Sequence, residues 1–100
     1  MSKTVVSTFE NERRAARLLD AVIANGFDSR LFSVINPQAA RASSLESLIP
    51  NVPGTQARLY QRHLKMGDSL LVARVREDDV PRLIRILQST GAHQIEAFDQ

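Results

Sequence analysis

Asp68-Ser69-Leu70-Leu71-Val72-Ala73-Arg74-Val75 is the stretch whose reading decides the fold. Successive side chains of a strand point to opposite faces, so a run that is apolar at consecutive positions presents apolar groups on both sides of a sheet. The stretch therefore predicts a central strand. Upstream, Pro53-Gly54-Thr55 opens a helix that carries Leu59, Tyr60, His63 and Leu64 on one face and stops at Gly67. Downstream, Glu77-Asp78-Asp79 precedes Val80-Pro81, which places carboxylates at a helix N-terminus and proline where its missing amide costs little. Val80, Leu83, Ile84 and Leu87 form the stripe of that helix, Gly91 caps it, and His93 to Phe98 reads as a last short strand.

The first half repeats this grammar. Thr4 to Phe9 is rich in β-branched residues and reads as a strand, and Asn11 and Glu12 suit the first turn of a helix. Ala15, Leu18, Leu19, Val22 and Ile23 keep helical spacing, and Asn25-Gly26 stops them. Arg30 to Ile35 reads as a second strand, closed by Asn36-Pro37. Residues 37–54 have no sustained period and hold three of the four prolines. Within them, Ser43-Ser44-Leu45-Glu46 has the form of a capping box ahead of Leu48 and Ile49, which predicts a single helical turn. Leu45, Leu48 and Ile49 predict that this connector docks on the body of the domain.

The resulting order is two β-α-β units joined by a helical connection. It predicts one α+β domain over residues 1–100: a ferredoxin-like βαββαβ sandwich, a four-stranded antiparallel sheet with its helices on one face. The extra helix is inserted between the second and third strands. A flavodoxin-like parallel α/β sheet is the alternative, because strictly alternating strands and helices suit it too.

Composition narrows the function classes. The chain has no cysteine, which excludes disulfides, thiolate metal sites and cysteine nucleophiles. Thirteen Lys and Arg against eleven Asp and Glu leave a net charge of only +2, too small a surplus to neutralise many phosphates unless the cations cluster. The longest good apolar run, Leu70 to Ala73, falls far short of a membrane span, and Val5-Val6 is too short for a secretory core, so the expected location is the cytoplasm.

Pro53, Ala57, Tyr60, Gly67, Leu70, Leu71 and Val75, followed by Ile86-Leu87-Gln88-Ser89-Thr90-Gly91-Ala92, resemble the heat-induced stress protein domain of bacterial general stress proteins. That family has a proline-started helix bearing a tyrosine, a terminating glycine, a strand, and a last helix ending in an Ile-Leu-x-x-x-Gly-Ala phrase. This chain departs from it after the proline, where Gly54-Thr55-Gln56 stand instead of acidic residues. The resemblance covers about half of the chain and implies a small, bacterial, stress-associated domain that is not an enzyme.

The residues themselves offer few anchors for chemistry. No serine sits in a G-x-S-x-G elbow, and there is no phosphate-cradling glycine loop or Walker lysine. His63 and His93 lie on different elements without a ligand at helical spacing, so neither a metal nor any other cofactor is expected. His63 reads as a packing residue and Tyr60 as a core-edge aromatic, with convergence of Tyr60, His63 and Asp68 as an acid-base group the weaker alternative. Three cationic groups stand out: Arg13, Arg14 and Arg17; Arg58, Arg62 and Lys65; and Arg82 with Arg85. Solvated outer faces explain them all, but the Arg58, Arg62, Lys65 row is the best candidate for an anionic partner because no acid lies between Pro53 and Gly67. RNA binding through the sheet would need stacking aromatics, which residues 68–75 lack.

The expected function is thus a non-enzymatic regulatory or interaction domain that acts by self-association, as a homo-oligomer, or by docking on a protein partner. The alternative is a small-molecule sensor with its ligand between the middle helix and segment 37–54, which would act as a lid over a pocket lined by Tyr60. Tyr60, His63, Arg58, Arg62 and Lys65 are the candidate contacts, and neither nucleic acid nor a membrane is an expected partner.

Overall fold

The computed structural model describes residues 2–42, 48–49 and 52–99. Four strands, β1 (Ser2–Phe9), β2 (Phe32–Ile35), β3 (Ser69–Arg76) and β4 (Ile95–Asp99), form one sheet in the order β2-β3-β1-β4, and every neighbouring pair is antiparallel. The antiparallel pairing overturns the flavodoxin-like alternative and is compatible with the ferredoxin-like class. β3 is central, as its two-sided apolar run predicts: Val6 lies opposite Val72, Val5 opposite Ala73, and Ile35 opposite Leu70.

Among the described residues the sheet is accompanied by the helices α1 (Glu12–Ala24), α2 (Pro37–Ala42), α3 (Gly54–Lys65) and α4 (Val80–Ser89). They do not share one face. Val5, Phe9, Phe32, Leu71, Ala73 and Val75 meet Ala15, Leu18 and Val22 of α1 and Leu83 and Leu87 of α4. On the other face, Val6, Ile35, Leu70 and Val72 meet Ala57, Tyr60 and Leu64 of α3, with Ala39 of α2 beside them. The expectation of helices on one face is corrected here: the inserted helices make a third layer. Alternation explains it, since Val5 and Val6, or Leu70 and Leu71, are neighbours in sequence and face opposite ways.

Segment 37–54 also differs from its reading as an aperiodic connector. Asn36 Oδ1 accepts a hydrogen bond from the Ala39 amide at 2.8 Å, which makes Asn36 a cap and Pro37 the first residue of α2. The turn expected at Ser43–Glu46 lies outside the described residues. Beyond it, Ile49 is fully buried in the α3-side core with Leu48 packed against that core, as docking requires. The second strand is shorter than Arg30 to Ile35, because Asp28 captures the Arg30 amide at 2.9 Å and winds Ser29–Leu31 into a 3-10 turn. The last strand starts late as well: the His93 amide donates to Thr8 O, and the Thr8 amide to Gln94 O, both at 3.0 Å, ahead of β4.

The glycine stops hold. Gly26 and Gly67 sit at φ +95° past the ends of α1 and α3, a conformation that side chains with a Cβ disfavour. No atom would clash with a Cβ at Gly67, so Gly67→Ala should cost only the backbone term, about 1–2 kcal/mol. Ile49→Ala should cost about 2–5 kcal/mol, because it opens a void in the α3-side core. Urea denaturation reads both variants. A loss at Ile49 below that range would mean that the connector is not part of the cooperative fold.

Candidate functional site

α3 carries all five candidate contacts, and the fold separates them by depth. Ala57, Tyr60 and Leu64 form its buried stripe, while Arg58, Arg62 and Lys65 are exposed on its outer side. Among the described residues none of these three cations makes an ion pair, whereas Arg14 pairs with Glu10 and Arg30 with Asp28. Leu59 and Met66 stand exposed on the same helix end and outer surface, Met66 at 71%. The result is a cationic, partly apolar helix face with no carboxylate of its own.

Tyr60 is not at the core edge. It has no exposed surface, and its ring meets Phe98 edge-on at 6.4 Å between centroids. Its hydroxyl is buried beside the Glu96 carboxylate. Burial pushes its ionisation well above the ordinary tyrosine value, and the neighbouring Glu96 carboxylate adds to the shift.

His63 and Asp68 do meet: Nδ1 lies 2.8 Å from Oδ2, and both side chains are about four-fifths buried. An ionised carboxylate only accepts, so Nδ1 carries the proton and Nε2 is left as the second ring nitrogen. Tyr60 bonds to neither, so the three residues do not form one acid-base group. A structural role for the pair follows from how the helices end. The Phe27 amide donates to Val22 O and closes α1, and the Ala92 amide donates to Leu87 O and closes α4. In the same way the Asp68 amide donates to His63 O at 3.0 Å and closes α3. Such closures usually bring apolar side chains together across the turn, and both Phe27 with Val22 and Ala92 with Leu87 belong to the α1/α4-side core. At α3 the equivalent pair is polar, a histidine held by a carboxylate.

The remaining candidates have local explanations. Arg82 lies 4.4 Å over the Phe27 ring, so it covers an aromatic rather than forming a free patch with Arg85. His93 is half exposed, with Nε2 3.5 Å from Glu10. No group of three His, Cys, Asp or Glu side chains suited to a metal occurs among the described residues. A groove of about 410 Å³ lies between α2 and α3, on the side where the sensor alternative expects its ligand, but it is lined by Pro37, Arg41, Gln61, Leu64 and Lys65 and not by Tyr60. Asn36-Pro37 reads in the sequence as a strand end, which does not predict the helix that forms one wall.

Two measurements check these assignments. Tyr60→Phe removes a buried hydroxyl whose neighbour among the described residues is the Glu96 carboxylate, so stability at neutral pH should change by no more than about 1 kcal/mol. Because folding raises the tyrosine ionisation, the wild type should lose stability as pH rises above 10.0, and the Phe variant should lack that part of the loss. A double-mutant cycle over His63→Leu and Asp68→Ala should return a coupling of about 1–2 kcal/mol, and no coupling would remove the closure role. No family model matches the chain, and no curated protein compared with it is similar, so the stress-protein resemblance stands on residues 53–92 alone.

Proposed function

We propose that this chain is a non-enzymatic interaction domain, a ferredoxin-like sandwich with a helical insertion, that docks on an acidic protein segment through the outer face of α3. One observation carries the reading: Arg58, Arg62 and Lys65 are exposed in one row, none has an ion-pair partner among the described residues, and no acid lies between Pro53 and Gly67. Exposed Leu59 and Met66 add apolar contact beside the charges. Both sheet faces are covered by helices, which leaves helix surfaces and the strand edges of β2 and β4 for contact. The bacterial, cytoplasmic and stress-associated setting rests on the resemblance and composition described above.

A Glu- and Leu-rich fluorescent peptide tests the reading by anisotropy. Binding should be saturable, weaken as salt rises, and fall at least about tenfold in an Arg58→Ala/Arg62→Ala/Lys65→Ala variant. An Arg13→Ala/Arg17→Ala variant, altered on the other side of the molecule, should bind like wild type. Equal binding by both variants, or none by the wild type, would discard α3 as the docking face.

The second reading, a small-molecule sensor between the middle helix and segment 37–54, is favoured by the α2-α3 groove. A ligand that binds the native state must raise its melting temperature. A metabolite panel containing charged and neutral molecules should therefore include at least one that shifts melting at millimolar concentration.

A further inference from the structure

The groove between α2 and α3 has two kinds of wall. Leu64, 4% exposed, and Pro37 supply apolar surface. Arg41, in the last turn of α2, and Lys65, in the last turn of α3, stand at the rim, one from each helix. Both are exposed, and neither has an ion-pair partner among the described residues. Gln61, also exposed, adds an amide able to donate or accept. Among the described residues no acid and no aromatic ring lines the groove.

The other grooves lack this combination. Between α1 and α4, Asn25 is spent on Ala21 O at 2.8 Å, Ser89 and Thr90 on Ile86 O at 2.9 Å, and Arg82 on Phe27. Beside β2 and β3, Arg30 is committed to Asp28 at 2.7 Å. Arg85 in the first and Arg74 in the second are single uncommitted cations, whereas among the described residues the α2-α3 groove has two, from different elements, flanking an apolar floor. A volume of about 410 Å³ lies at the lower end of small-molecule sites.

We propose that this groove binds a small amphipathic anion, a carboxylate or phosphate head on a short apolar body. The head sits between Arg41 and Lys65 and the body lies on Pro37 and Leu64. Two cations from separate helices bracket a head group that one surface cation would hold only weakly. The absence of an aromatic among the described lining residues disfavours a nucleobase, which would need a stacking partner. This inference rests on the sensor reading and narrows it to a ligand class.

Octanoate, octyl phosphate and the neutral octanamide are the probes, titrated into the ¹⁵N-labelled protein and followed by NMR. Octanoate or octyl phosphate should give saturable shifts centred on Arg41, Gln61 and Lys65, and the tighter of the two identifies the preferred head. Octanamide should bind at least about tenfold more weakly. Arg41→Gln/Lys65→Gln, two exposed changes, should weaken the anions to the octanamide level with the spectrum otherwise intact. Arg17→Gln on α1 should leave binding unchanged. Octanamide binding as tightly as octanoate would overturn the anionic class while leaving the sensor reading standing. No saturable shift with any probe would also overturn the inference, and the melting panel, which includes unrelated neutral molecules, then decides the sensor reading on its own.

Discussion

A sheet whose two central strands are apolar on both faces cannot leave either face to water, and that constraint organises this molecule. β1 is buried from Thr4 to Phe9, and β3 from Ser69 to Ala73 and again at Val75. Helices α1 and α4 cover one side. Without α3, α2 and Ile49, the other side would expose Val6, Leu70, Val72 and Ile35 together, a patch large enough to drive association. The long connection between β2 and β3 is therefore the third layer, and the sheet face that a two-layer sandwich leaves open for a ligand or second subunit is already occupied.

The third layer also decides what its residues can do. α3 must bury Ala57, Tyr60 and Leu64, which removes the tyrosine from any surface and turns Arg58, Arg62 and Lys65 outward as a group. Its C-terminal turn uses the same backbone closure as the other two long helices but joins it with His63 and Asp68. The residues with the most chemical potential are thus divided among core, helix closure and surface. What remains available for recognition is cationic: the outer row of α3 and the rim it shares with α2.

Much of this was legible because it rests on local rules. The two-sided run at Leu70 to Ala73 fixed the central strand, and Gly26, Gly67 and Gly91 marked three helix ends through backbone geometry. Other features were hidden because one residue pair serves two rules. Asn36-Pro37 ends a strand and begins a helix with equal ease, and only the contact of Asn36 with Ala39 decides for the helix. Asp28 defeats the strand reading of Arg30 in the same manner, by a side-chain bond that composition does not reveal. The depth of Tyr60 and the α2-α3 groove depend on how elements far apart in sequence pack, which periodicity along one element does not encode.

The strand order carries a consequence for how the chain is made. Among the described residues β1 pairs with β3 and β4, and β2 with β3, so the two strands of the first half do not pair with each other. A growing chain that ends before residue 69 therefore holds two strands with no hydrogen-bonding neighbour, and α1 and α3 have no sheet to pack on. Synthesis of β3 supplies the partner for both at once, and β4 then seals the far side of β1. Folding is deferred until β3 has been made, when pairings of long sequence separation must close together. The apolar first half must stay unaggregated until then, which makes the exposed arginines of α1 useful before the native state exists as well as within it.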